Sequence, residues 1–216
     1  MPSPPALQFG CYYHIYTRGN NGETIFREVR NYEYFMRLYA RHIPPVADTY
    51  AYCLLKNHFH LLVRIKTEAE IRNEVMQTIQ ETFRVSKTLK VSLEVSARAP
   101  SQAFSNLLNA YTKAVNKAYR RSGSLFEHPF GRVEVTNQAY FARLVAYIHQ
   151  NPQRHGLIAD FRDWPYSSYN ALCSTKPTQL QREQTLAWFG DRNHFVRAHA
   201  KLQTLDPDQD PEGLED

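Results

Sequence analysis

A chain of 216 residues with a formal charge of +5 and 43% hydrophobic content suits one domain of roughly 150 to 200 residues with peripheral segments. No apolar run approaches the roughly eighteen residues of a membrane-spanning helix, and Met1-Pro2-Ser3-Pro4-Pro5 lacks the basic and apolar stretches of a secretory signal. The cysteines, Cys11, Cys53 and Cys173, are odd in number and scattered, which argues against a disulfide framework or zinc knuckle and fits a reducing cytoplasm. After Lys201 come Asp206, Asp208, Asp210, Glu212, Glu215 and Asp216 with no Lys or Arg, so the preceding body is more basic than the whole, the profile of a polyanion binder.

Residues 9–18 read as a first strand, ended by the turn Gly19-Asn20-Asn21-Gly22. Residues 29–42 have helical periodicity through Tyr32, Phe35, Leu38 and Tyr39 and stop before Pro44-Pro45. Residues 49–55 and 58–65 form two strands of a hairpin. Residues 68–96 are ambiguous, with a helical part around Ile71, Val75 and Ile79. Pro100 opens a helix over 101–121 that carries Phe104, Leu107, Leu108, Tyr111 and Val115 on one side. Residues 125–136 read as a fourth strand, and Asn137 caps a helix over 139–150. Asn151-Pro152 reads as its stop, because the residue before a proline is pushed out of the helical region. Beyond it, residues 157–195 read as an ordered extension anchored by Trp164, Tyr166, Tyr169 and Trp188. The expected division is a disordered start at 1–8, a catalytic domain at 9–175, a helical extension at 176–204 and a disordered acidic tail at 205–216. The element order predicts an α+β fold, a ferredoxin-like or RNA-recognition-like antiparallel sheet with helices on one face.

Two short segments carry the chemistry. His58-Phe59-His60 lies on a strand, where residues two apart share a face, so both imidazoles point the same way. In Tyr147-Ile148-His149-Gln150-Asn151-Pro152, Tyr147 and Asn151 lie four apart on one helix face. Two imidazoles, an amide oxygen and a phenol can meet at one metal ion. The bland alternatives are a half-buried strand with core histidines and a core tyrosine; Tyr140, seven residues before Tyr147 and on nearly the same face, is the competing tyrosine. His14, His128 and His149 are not expected as ligands, the last because it points about 200° around the helix from Tyr147. Lys113, Lys117, Arg120, Arg121 and Arg132, interleaved with Tyr119, Phe126 and Phe130, form a candidate surface for nucleic acid, where cations meet phosphates and rings stack on unpaired bases. Arg18, Asn20 and Asn21 in the first turn are a second candidate surface.

From Tyr12 to Tyr169 the chain resembles the HUH single-tyrosine transposases, in particular the REP-associated branch. The resemblance rests on Tyr13-His14-Ile15-Tyr16-Thr17-Arg18-Gly19-Asn20-Asn21, on Asn57-His58-Phe59-His60-Leu61-Leu62-Val63, and on Phe104-Ser105-Asn106 through Lys113. It continues through Gly123-Ser124-Leu125-Phe126, Tyr147 to Pro152, and Asp163-Trp164-Pro165-Tyr166-Ser167-Ser168-Tyr169. Lys56 stands where the family commonly has proline. The resemblance implies a tyrosine helix lying across the histidine face, a divalent metal held by His58, His60 and Asn151, and Tyr147 as nucleophile. It also implies a 5′-phosphotyrosine intermediate with a free 3′-OH, made on single-stranded DNA beside a hairpin. Imidazole with oxygen ligands favours manganese, cobalt or zinc on affinity, and cellular abundance favours magnesium; Mg2+ or Mn2+ is the expectation. One active tyrosine per site means that strand transfer needs a homodimer or two successive events. The alternatives are a domesticated, non-catalytic regulator that binds hairpin nucleic acid, against which the sheet lacks clustered RNP aromatics, and a zinc hydrolase, against which no carboxylate or thiolate partner is evident.

Overall fold

The computed structural model describes residues 6–83 and 99–201. The expectations for 1–5, 84–98 and 202–216, the acidic tail among them, lie outside the described residues. Four strands, β1 (Tyr12–Arg18), β2 (Ala47–Leu54), β3 (His58–Ile65) and β4 (Gly131–Glu134), form one sheet in the order β2-β3-β1-β4, with every neighbouring pair antiparallel. With α1 (Val29–His42) between β1 and β2, and α2 (Glu68–Phe83) and α3 (Ala99–Tyr119) between β3 and β4, this is the expected split βαβ arrangement.

Alternation along the strands separates two cores. Tyr13 and Ile15 of β1 and Phe59, Leu61, Val63 and Ile65 of β3 face Tyr32, Phe35 and Tyr39 of α1 and Phe104, Leu107, Leu108, Tyr111 and Val115 of α3. Full burial of each such side chain contributes about 1.5–3 kcal/mol, which fixes these two helices on that face. The opposite face carries His14, Cys53, His60 and Leu62, and it is covered by α4 (Gln138–Arg154) together with the C-terminal extension. Phe141, Leu144, Val145 and Ile148 of α4 pack there with Tyr50, Leu62, Phe161, Tyr169 and Phe195.

The extension covers an edge as well as a face. β2 is an outer strand, and Leu54 N–H donates to Tyr166 O while Ser168 N–H donates to Tyr52 O. Further along, Gln181 N–H donates to Thr49 O. An edge that would otherwise offer unpaired donors and acceptors is thereby capped. Trp188 stacks on Phe141 at 3.9 Å, Tyr166 stacks on Tyr32 at 3.6 Å, and the Trp164 indole donates to Leu54 O at 3.0 Å. A buried polar chain adds to these anchors: His149 Nε2 lies 2.7 Å from Ser168 Oγ, and His149 Nδ1 lies 2.8 Å from His199 Nε2. The short helices α5 (Tyr169–Cys173), α6 (Arg182–Trp188) and α7 (Arg192–Ala198) complete the extension.

Several boundaries correct the sequence reading. The first strand begins at Tyr12, after Gly10 takes a left-handed φ of 79°. The start is not disordered throughout, since Leu7 is buried and Gln8 N–H donates to Tyr13 Oη. The fourth strand is four residues long; upstream, Phe126 makes only an isolated bridge to Gly19, and Pro129 has no N–H to offer a ladder. Helix α4 does not stop before Pro152 but runs through it to Arg154. Proline removes one interior hydrogen bond, and around it Asn151 Nδ2 donates to Tyr147 O while His155 N–H donates to Asn151 O.

Burial holds His149 well below its ordinary pKa and pushes His199 down to about 4. Both are neutral when folded and titrate near 6.5 when unfolded, so their stabilising contribution is complete above pH 6.5 and falls as protons bind the unfolded chain below it. The urea midpoint should be level from pH 8 to 7 and decline between pH 6.5 and 5, each histidine contributing up to about 1.4 kcal/mol per pH unit. A level midpoint across that window would contradict the buried neutral pair.

Candidate active site

The register of β1 on β3 sets Tyr16 opposite His60 and Arg18 opposite His58. Both histidines are buried, His60 completely, and their rings stand nearly perpendicular with centres 5.1 Å apart. His58 Nδ1 lies 2.7 Å from Asn57 Oδ1, which places the proton on Nδ1 and a lone pair on Nε2. That Nε2 is buried without a hydrogen-bond partner among the described residues. His60 Nδ1 shares a 2.9 Å hydrogen bond with His14 Nε2, from the neighbouring strand. Loss of solvent pushes His14 and His58 down to about 3, the charges of His155 and Arg18 adding to the effect at His58. Burial also holds His60 well below its ordinary value, with His14, His58 and His155 contributing. The imidazoles are therefore neutral near pH 7, the form that ligates a cation.

Helix α4 crosses above them. Asn137 caps it by accepting from Tyr140 N–H. Tyr147 sets its ring edge-on to His60 at 5.9 Å and is covered by the Arg154 guanidinium at 5.2 Å, leaving it 3% exposed. Asn151, one turn on, is fully buried; its Oδ1 accepts from His155 Nε2 at 3.1 Å. His155 in turn lies edge-on to His58 at 4.9 Å. Helical spacing thus brings Tyr147 and Asn151, and with them the exposed His155, over the strand histidines. Tyr140 is buried in the apolar cluster with Phe141 and Tyr50.

The basic candidates divide. Arg18 ends its strand beside His58 and lies 3.8 Å from Glu127, an exposed pair of small energetic weight. Asn20 Nδ2 donates to Ser124 O, and Asn21 holds a left-handed φ of 54° at the exposed turn. Arg121 is tied to Glu23 at 2.7 Å and to Ser124 O, so it staples the same turn. Lys113, Lys117 and Arg120 are exposed; the first two ride on α3, which packs on the sheet face opposite the histidines. Arg132 lies over the Phe130 ring at 4.1 Å and donates to Ser101 Oγ. Phe126 and Phe130 belong to the core, which corrects their reading as base-stacking surfaces.

Three residues of the site escaped the sequence reading in their present roles. His14 and Asn57 orient the two strand histidines, and His155 reaches Asn151. The i, i+4 spacing from Asn151 to His155 was visible, but the expected stop at Pro152 placed His155 off the helix. Among the described residues no three His, Cys, Asp or Glu side chains already converge to hold an ion. The two-imidazole, one-amide set still fits a divalent cation: a buried acceptor left unsatisfied costs about 1–3 kcal/mol, and His58 Nε2 is such an acceptor. A cleft of about 470 Å³ between α1, β2 and the extension is lined by residues such as Tyr39, Thr49, Lys66 and Leu180 and by none of these groups. No described helix is long and apolar enough to cross a membrane.

No protein-family model matches the chain. It is 25% identical over 126 residues to a candidate REP-associated tyrosine transposase of Haemophilus influenzae, covering 57% of this chain and 59% of that protein. The chain thus matches less than two thirds of that relative's length. Its fold matches that of a solved REP-associated tyrosine transposase bound to a REP hairpin, with a TM-score of 0.55, 14% identity, and coverage of 82% of this chain and 88% of the other.

Because Tyr147 is packed on both sides, truncating it should destabilise the protein by about 3–5 kcal/mol. Tyr147→Ala should lower the urea midpoint accordingly, and a change below about 1 kcal/mol would show that the ring is not held as described.

Proposed function

Because this chain resembles the REP-associated tyrosine transposases in both fold and sequence, we propose that it breaks and rejoins single-stranded DNA beside a hairpin through a covalent link to Tyr147. The observation that carries the reading is the Tyr147 ring set against His60, with Asn151 one turn on and His58 alongside. A phenol is a weak nucleophile near pH 7. Mg2+ or Mn2+ held by His58, His60 and Asn151 would polarise the phosphate and fix the line of attack. Tyr147 Oη bonds to phosphorus as the bond to the 3′-oxygen breaks. The phenolic proton passes to solvent, the leaving 3′-oxygen takes one up, and the 5′-phosphate stays on Tyr147. Attack by a 3′-OH on that phosphotyrosine reverses the bond changes and joins a strand.

His14 and Asn57 contribute by orientation. Asn57 accepts from Nδ1 of His58, which leaves the Nε2 lone pair for the site, and His14 engages Nδ1 of His60, which leaves His60 Nε2 as the nitrogen available to the site. Arg154 now lies over Tyr147, so an incoming phosphate displaces it and finds a guanidinium suited to bind its oxygens. Arg18 lies beside His58, with Asn20 and Asn21 in the turn that follows, and Lys113, Lys117, Arg120, Arg121 and Arg132 would supply charge farther along the body. With one active tyrosine per site, strand exchange needs either the two subunits of a homodimer or two successive events at one site. The closed position of Tyr147 favours one other reading, a regulator that binds hairpin DNA without cutting it, and the adduct assay separates the two.

Incubated with a hairpin oligonucleotide bearing single-stranded flanks, the wild type and Tyr140→Phe should form a protein–DNA adduct that maps by peptide mass spectrometry to Tyr147 through a 5′-phosphate. Tyr147→Phe should bind the DNA with similar affinity and form none. An adduct on another tyrosine would refute the assignment, and hairpin binding with no adduct in any variant would establish the regulator.

EDTA should abolish adduct formation, and added Mg2+ or Mn2+ should restore it in the wild type but not in His58→Ala. Full activity in EDTA would exclude the metal centre while leaving Tyr147 standing.

A further inference from the structure

We infer that His155 is a further ligand of the metal centre, joining His58, His60 and Asn151, so that the site presents three imidazoles rather than two. The inference deepens the proposed function and rests on its reading of His58, His60 and Asn151 as a divalent-cation site.

The direction of the nitrogens carries the argument. His155 Nε2 points at Asn151 Oδ1 from 3.1 Å, and that oxygen is the amide's only ligating atom. Two ligand atoms bonded at about 2.1 Å and at right angles on one ion stand about 3.0 Å apart, so this hydrogen bond has the length of an edge of a coordination shell. Ring spacing agrees. Imidazoles sharing an ion have centres about 4.6 Å apart at right angles and about 5.3 Å apart at a tetrahedral angle; His58 and His155 are 4.9 Å apart, and His58 and His60 are 5.1 Å apart. His14 has a similar spacing to His60, 5.1 Å, but its Nε2 is engaged by His60 Nδ1, which makes it an orienting residue.

Among the described residues no three such side chains already converge, because His155 Nε2 is turned to Asn151 Oδ1. His155 is able to complete the turn. It is exposed, it follows the last residue of α4, and its main chain is held by bonds from its N–H to Asn151 O and Gln153 O. A cation would take the place of the shared proton: Nε2 would give its proton to solvent while the solvent-exposed ring takes one up on Nδ1, so the imidazole stays neutral and both Nε2 and Asn151 Oδ1 offer lone pairs to the metal. His155 also ties metal entry to Tyr147, because Asn151 bonds His155 with Oδ1 and the Tyr147 carbonyl with Nδ2. A third nitrogen ligand shifts the preference of the site from magnesium toward manganese and its neighbours.

Pulsed EPR of Mn2+ bound to the full chain counts directly bound imidazole nitrogens. Three are expected in the wild type and two in His155→Ala, with Mn2+ affinity lowered at least about tenfold and the preference for Mn2+ over Mg2+ reduced. His155→Gln keeps a hydrogen-bond donor for Asn151 but has no imidazole, so it should also show two nitrogens. Two nitrogens in the wild type, lost together with binding in His58→Ala, would overturn the role of His155 and leave the metal centre intact. No Mn2+ binding, with adduct formation persisting in EDTA, would overturn both.

Discussion

The antiparallel register of β1 on β3 is the constraint from which the site follows. It puts Tyr16 opposite His60 and Arg18 opposite His58, and it brings His14 within hydrogen-bond distance of His60. A slip of one residue would send the entire set of side chains on one strand to the opposite face, into the packing of α1 and α3. The apolar residues between the histidines prevent that slip, because Phe59 and Leu61 are held in the opposite core. A buried face in turn dictates the protonation state. Imidazoles shut away from water stay neutral, and each strand histidine then uses its inner nitrogen on a neighbour and keeps the outer one for the site.

The helix above the sheet is held along both of its sides. Its apolar side packs on Tyr50 and Leu62, and on its other side His149 ties it to Ser168 and His199 of the extension. The extension is itself hydrogen-bonded to the edge of β2. The last turn of α4 brings Arg154 over Tyr147 and is followed by the exposed His155 beside His58. Tyr147 and Asn151 lie beneath these two side chains, Arg154 over the Tyr147 ring and His155 hydrogen-bonded to Asn151.

Local pattern made much of this legible in the sequence. The bounds of α1 and β3, the cap at Asn137 and the pairing of Tyr147 with Asn151 follow from periodicity and spacing within single elements. Misreadings arose where a local rule met tertiary packing. Asn151-Pro152 signals a helix stop, but both residues are buried and the helix continues through them. Residues 125–136 have strand composition, but Pro129 and the isolated bridge at Phe126 shorten the paired part. Phe126 and Phe130 sit among basic residues in sequence and among core residues in space. The roles of His14, Asn57 and His155 depend on register and on the approach of a helix to a sheet, neither of which is encoded within one element.

In the proposed reaction a cation held by the strand histidines and the phenol of Tyr147 act on one phosphate. Sulfur placed at a non-bridging oxygen of the phosphate where the adduct forms tests it most directly. Magnesium binds sulfur poorly and manganese tolerates it better, as expected from ligand softness. Adduct formation on the sulfur-substituted strand should collapse in Mg2+ and recover in Mn2+, relative to the unmodified strand. Equal effects of the sulfur in the two metals would mean that no cation contacts that phosphate, and the account of the centre would be wrong.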